Sequence, residues 1–286
     1  MESFPALFLH TILLRPYVFI FLLIYLVGCS IHLGLRRALF FCVAGYAITW
    51  LSEYSSIHNG FPYGYYRYIE ATKAKELWVF GVPFMDSLSY VFLTYASFSM
   101  AVVVLSPVRS TKGFCYVLET KKIRNSLPAT ALGALFMTYL DIIIDPVALR
   151  GDKWFLGKIH EYPGGGVYFG VPISNFIGWF LVGFALIFTL QRIDRYLSDA
   201  KDFTGHTFPW RYMVGPALYY SVLAFNLAIT FFIGEYTLAW AGIFIVFCPT
   251  VLLFYLTKMK LSRQDNKGLS AHLKDFPKAG ILGEMR

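Results

Sequence analysis

The sequence predicts an all-α membrane protein, a polytopic helix bundle of about seven spans with its N-terminus outside and its C-terminus inside. Three observations predict it. Hydrophobic residues make up 57% of the 286 residues and charged residues 15%, against roughly 25% charged in soluble domains. The apolar residues fall in blocks close to the ~20 residues that cross a bilayer as a helix. Lys and Arg are spread unevenly over the connections, and that bias sets orientation.

In chain order, the apolar blocks lie near 16–34, 38–54, 82–105, 127–149, 171–191, 213–234 and 238–257. The second is short, and a tight turn around Glu235 separates the last two. The first is span length rather than leader length, and no A-x-A site follows it. With the N-terminus outside, the inner connections collect Arg36 and Arg37, the group from Arg109 to Arg124, the group from Arg192 to Arg211, and the basic residues from Lys258 onward. That is 18 basic residues inside against 7 outside. Basic cytoplasmic loops facing an anionic leaflet account for the net charge of +8 with the lipid bilayer as partner and no nucleic acid. The expected organisation is a transmembrane helical domain over 1–258 and a flexible polar cytoplasmic tail over 259–286, with no internal repeat.

The four cysteines, Cys29, Cys42, Cys115 and Cys248, form no CxxC pair, and the six histidines show neither HxxxH nor HExxH spacing. The sequence therefore points to no metal site, no disulfide framework and no cofactor. The run GGGVYFG lacks the GK[ST] ending of a phosphate loop. Aromatic residues reach 19%, with 20 Tyr and 28 Phe. Interfacial belts explain part of that. The remainder suits either a cavity for something apolar and extended or ordinary core packing.

Asp141 and Asp145 stand four apart in MTYLDIIIDPVAL. A carboxylate inside a span costs roughly 2.5–3.5 kcal/mol and marks a functional site by default. The spacing puts both on one helix face. On the expected topology the second span ends outward at Trp50-Leu51-Ser52-Glu53-Tyr54, the third begins there with Asp86, and the fifth begins there with Asn175 and Trp179. Glu53, Asp86, Asp141, Asp145 and Asn175 thus gather at the outer ends of four consecutive spans. Two Gly-, Pro- and Tyr-rich connections, 55–81 and 150–170, are expected to cap them. They add Tyr63, Tyr66, Trp154 and Tyr168 as candidate binding residues beside Trp50 and Tyr54.

Plainer readings stand beside these. The aspartate pair is merely interfacial if Pro146 ends the helix and water reaches it. Asp86 is a first-turn carboxylate favoured by the helix dipole, and Asn175 with Trp179 glues helices together. His32, His58 and His160 are read as structural or solvated.

Buried carboxyls in an aromatic pocket suit proton addition to an alkene. A protonated Asp gives a tertiary carbocation, aromatic faces stabilise it by about 0.5–2 kcal/mol each, and a second carboxylate or an Asn positions water for attack. If water is excluded, the same cation closes into a ring or loses a proton.

Several blocks resemble a known family. They are Glu53-Tyr54 followed by Gly60-Phe61-Pro62-Tyr63-Gly64-Tyr65-Tyr66, then Gly81-Val82-Pro83, Asp141 with Asp145-Pro146, Trp154, and Tyr168-Phe169-Gly170-Val171-Pro172 with Asn175, Gly178 and Trp179. Their order and spacing over residues 45–185 resemble the membrane carotenoid biosynthesis proteins that include the carotenoid 1,2-hydratases, such as gamma-carotene hydratase and bisanhydrobacterioruberin hydratase. The resemblance implies a multi-pass protein of the prokaryotic cytoplasmic membrane. It also implies cofactor-free addition of water to the terminal C1=C2 bond of an acyclic carotenoid end group, with room for other carotenoid-pathway enzymes as partners. The segment GDKWFLGKIHEYPGGG departs from the pattern, and this loop is expected to tune the end group accepted.

The residues alone leave the roles open: Asp141 or Asp145 donates the proton, while Glu53 and Asn175 hold water or the second carboxylate. Asp141 is the drier candidate. Cyclisation of the end group remains an alternative reaction, and a proton-coupled transporter or lipid-binding protein remains an alternative class.

Overall fold

The computed structural model describes residues 3–111, 114–197, 209–263 and 265–277. Lys112, Lys201, Lys278 and Arg286, counted above for orientation, lie outside the described residues.

Each of the seven apolar blocks is a helix. In chain order these are α1 (Phe4–Leu14), α2 (Pro16–His32), α3 (Leu35–Asn59), α4 (Phe84–Leu105), the short α5 (Lys121–Arg124), α6 (Leu127–Ala148), α7 (Ile173–Tyr196), α8 (Val214–Phe232), α9 (Tyr236–Ser262) and α10 (Asn266–Asp275). Five of them, α4 and α6 to α9, are long and apolar enough to cross a membrane, or six if α1 and α2 form one broken span, bent by 90°. That is fewer than the seven spans read from the sequence. α2 has 17 residues, and α3 carries Arg36, Arg37 and Glu53 within its length.

Local signals set the helix ends. Ser126 caps α6 by accepting a hydrogen bond from the Ala129 N–H, with Pro128 in the first turn. Gly60, at φ 81°, closes α3 in the left-handed conformation that residues with a Cβ avoid. α4 is the hub, buried on nearly all faces from Met85 to Val102, and it packs on α2, α3, α6, α7 and α8. α9 lies at the margin. Trp240, Phe244, Phe247, Val251, Phe254 and Tyr255 are exposed along it, an apolar surface suited to lipid rather than water.

Three two-stranded ribbons decorate the helix ends. β1 (Arg67–Tyr68) pairs antiparallel with β6 (His160–Glu161), β2 (Trp78–Val79) with β3 (Val82–Pro83), and β4 (Val108–Thr111) with β5 (Phe114–Val117). The first ribbon stitches together the two Tyr-rich connections.

α1 extends the helical structure upstream of the first apolar block. The chain turns at Arg15, which is fully buried and grips Glu76 through two hydrogen bonds of 2.9 and 3.0 Å. The polar segment after 259, expected to be flexible, contains α10. Its Leu269 and His272 are buried, and Leu269 packs with Tyr116 and Leu118. The His272 ring bonds the Glu119 carbonyl at 2.6 Å. The rest of that tail, 278–286, lies outside the described residues.

Candidate active site

Four helix ends bring the carboxyls together. Glu53 lies in the last two turns of α3 and Asp86 in the first turn of α4, directly after β3. Asp141 and Asp145 occupy the last two turns of α6, and Asn175 the first turn of α7. Pro146 does not end α6. The helix continues to Ala148, and the Leu149 N–H bonds the Asp145 carbonyl at 2.9 Å. A proline this close to the C-terminus removes one backbone bond in the last turn and leaves the earlier turns intact. Both aspartates are consequently enclosed, at 1% and 7% exposure.

Asn175 bridges the pair. Its Nδ2 donates to Asp141 Oδ2 at 2.6 Å and to Asp145 Oδ2 at 3.1 Å. Asp145 also bonds the His160 ring through Oδ1 at 2.9 Å and accepts from the Tyr162 hydroxyl at 2.8 Å. Asp86 accepts from the Tyr68 hydroxyl at 2.6 Å, and Tyr66 donates to Tyr68 at 3.3 Å. Glu53 accepts from Ser87 at 2.5 Å. These groups line one cavity of about 80 Å³, room for a few water-sized groups. Three of its aromatic rings form a cluster: Trp179 stacks on Tyr90 at 4.3 Å, and Tyr63 lies 6.2 Å from Tyr90 and 6.5 Å from Trp179.

A second cavity of about 90 Å³ adjoins the first. Asp86, Ser89, Leu93, Ile144, Ala148 and Ile159 border both. The second is apolar and aromatic, with Tyr17, Phe21, Phe92, Trp154 and Phe225 in its wall. A carboxyl-lined chamber therefore meets an apolar one across a shared rim.

The close approach of the first connection to α7 depends on Gly178. A Cβ there would fall 2.7 Å from the Pro62 carbonyl oxygen and the Tyr63 Cα. Glycine at this position lets Tyr63 sit against Trp179.

Of the sequence candidates, Glu53, Asp86, Asp141, Asp145, Asn175, Trp179, Tyr63 and Tyr66 line the carboxyl chamber, and Trp154 lines the apolar one. Trp50, Tyr54 and Tyr168 line neither. Trp50 and Tyr54 stack on each other at 5.4 Å, one helical turn apart, and the Trp50 Nε1 donates to Val79 at 3.0 Å. Trp50 also packs edge-on against Phe80 at 5.9 Å, in the turn between β2 and β3. Tyr168 packs edge-on against Phe169 and Phe176.

His160, Tyr68 and Tyr162 are chamber residues that the sequence reading missed, and His160 had been assigned a structural or solvated role. Tyr68 and His160 face each other across the β1–β6 ribbon, a pairing between distant segments that spacing does not reveal. The composition of the two loops was the only available signal.

Burial pushes the Tyr68 and Tyr162 hydroxyls well above the ordinary phenol range, with the Asp86 and Asp145 charges adding to it. Both stay neutral donors. For His160, burial pushes down, but the charge and hydrogen bond of Asp145 outweigh it, so its affinity for a proton ends above the usual value. Stability from this pair is thus fully present below about pH 6.5, the ordinary histidine value, and is lost as pH rises through the raised one. We expect the melting temperature of the wild type to exceed that of His160→Gln most at about pH 6, with the gap closing toward pH 9. A gap independent of pH would show that the imidazole carries no charge in the fold.

Fold and site together describe an α-helical membrane protein with an enclosed, multi-carboxyl chamber beside an apolar one. The chain belongs to the carotenoid biosynthesis protein family, whose model matches residues 10–249. The match takes in the whole of both chambers and places the protein in carotenoid biosynthesis. No curated protein and no solved structure matches the chain.

Proposed function

We propose that the protein is a carotenoid 1,2-hydratase, a cofactor-independent hydro-lyase spanning the prokaryotic cytoplasmic membrane several times, N-terminus outside. The observation that carries this reading is the contact between the two chambers. An acyclic end group needs an apolar lodging for its chain and a proton donor at its tip, and the Asp86–Ile144 rim joins such spaces.

In the proposed reaction a carboxyl proton adds to C2 of the terminal C1=C2 bond, leaving a tertiary cation at C1. Asp141 is the donor. Asn175 is its one hydrogen-bond partner among the described residues, and its second oxygen is left for the proton. Asp145 accepts from Asn175 and Tyr162 and bonds His160, which suits an acceptor that orients water. The rings of Tyr63, Tyr90 and Trp179 face the developing cation. Water adds at C1 and gives its surplus proton back to a chamber carboxylate, so the net change is the addition of one water. Glu53 and Asp86 complete the polar wall.

Production of the protein in a host that accumulates lycopene tests this reading. A pigment heavier by one water per reacted end is the expected result. A pigment of unchanged mass would point to end-group cyclisation instead, and no new pigment from any of several acyclic carotenoids would defeat the hydratase assignment.

A further inference from the structure

The opposite ends of the same helices hold a second cavity system. A space of about 410 Å³ lies among Arg37 at the start of α3, Lys121, Lys122, Arg124 and Asn125 around α5, and Asp194 and Arg195 at the end of α7. Five cationic side chains and one carboxylate line it. Asp194 is already shared, since Arg37 Nε lies 3.1 Å and Arg124 Nη1 3.3 Å from its Oδ1. Arg124 is further paired with Glu119, which also holds His32 at 3.0 Å. These buried pairs build a fixed floor. The rim is different: Lys121, Lys122 and Arg195 are exposed, and no carboxylate among the described residues pairs with their side chains. The cavity therefore keeps an excess of positive charge at its mouth.

An apolar stripe runs up to that mouth. On α7, Leu181 and Phe188 are exposed at seven-residue steps that continue to Arg195. Leu127, at the start of α6, is exposed beside Asn125. Such a stripe belongs against hydrocarbon, and a basic pocket where it ends matches a molecule with a phosphate head and apolar chains. A free anion would use the pocket but have no use for the stripe.

We propose that this cavity binds the phosphate of an anionic phospholipid whose acyl chains lie along α7. The three rim cations close over the headgroup, and the paired Arg37 and Arg124 form the floor beneath it. The site is independent of the reaction assigned to the carboxyl chamber. It sits on the side where the basic connections gather, which is where an anionic leaflet attracts them.

The test uses the full chain purified in neutral detergent, with phosphatidylglycerol, phosphatidylcholine or inorganic phosphate added separately. Melting temperature and lipid retained in native mass spectrometry are the readouts. Phosphatidylglycerol should raise the melting temperature and stay bound, while phosphatidylcholine at the same mole fraction should do neither. Lys121→Gln/Lys122→Gln/Arg195→Gln should weaken phosphatidylglycerol binding on the order of a hundredfold, from about fivefold for each basic residue near an anionic surface. These side chains are exposed, so the variant's melting temperature in detergent alone should match the wild type. Should the triple variant misfold, Arg195→Gln alone carries the test, at about fivefold. Equal responses to the two lipids, or an unchanged response in the variants, would overturn the proposal. So would a full response to inorganic phosphate alone, which would assign the cavity to a free anion.

Discussion

Asp141→Asn is expected to stop pigment conversion while leaving the bundle folded. The amide keeps the shape of the side chain and an oxygen for the Asn175 Nδ2 bond, now 2.6 Å long, but has no acidic proton to give. Loss of a positioned acid removes about 10²–10⁴-fold in rate. Asp145→Asn should also be strongly impaired, for another reason. Asp145 anchors the Tyr162 hydroxyl and the His160 ring, both within 2.9 Å, so the amide would mispair with donors built for a carboxylate. Turnover in membranes and pigment analysis of both variants check this. An Asp141→Asn protein with wild-type turnover would remove Asp141 as the donor. If Asp145→Asn alone were inactive, the two roles would exchange.

Arg15→Met is expected to produce the largest loss of stability. Arg15 and Glu76 have fully buried side chains and form a two-point ion pair. Arg15 also donates to the Leu156 carbonyl, and the neighbouring Thr11 hydroxyl accepts from the Leu77 N–H at 2.7 Å. One residue at the α1–α2 bend therefore ties both outer connections to the helices. Removing one partner of a buried pair leaves the other charge unpaired, at a cost of about 3–5 kcal/mol. Arg15→Met/Glu76→Gln should recover part of that loss, because no lone charge remains. Denaturant unfolding of the single and double variants measures the difference. Equal losses in both would mean that packing, not charge, holds the bend. Because the pair fastens the loops that supply Tyr66, Tyr68, His160 and Tyr162, weakened conversion should accompany the loss.

Much of the architecture was legible in the chain. Apolar blocks of span length became helices because a bilayer or a buried core leaves backbone groups no partner but their own helix. The first turn of the chain was not legible. Arg15 read as one more outer basic residue, whereas its partner Glu76 is brought to it by tertiary folding. α10 carried a readable signal that polarity masked: Leu269, His272 and Leu273 recur at helical spacing on one face.

The carboxyl chamber was partly legible for the same reason that it is informative. Asp141, Asp145, Glu53 and Asp86 are costly in apolar surroundings, so their presence near helix ends pointed to a shared site. Trp50 and Tyr54 flank Glu53 in sequence but do not line that site: they pack on each other, and Trp50 bonds Val79 of the β2–β3 ribbon. His160 and Tyr68 came in through a two-residue ribbon too short to have a pattern of its own. The reading in which Pro146 ends α6 and lets water reach the aspartate pair failed, because the helix continues to Ala148 and both aspartates are buried.

The most direct test of the hydratase assignment is the mass and isotope content of the pigment formed in isotope-labelled water. Wild-type membranes supplied with an acyclic carotenoid should give a product heavier by one water, with labelled oxygen in a tertiary hydroxyl at C1. Asp141→Asn membranes should give none. A product of unchanged mass, or a hydroxyl without label, would contradict the proposed water capture of a tertiary cation.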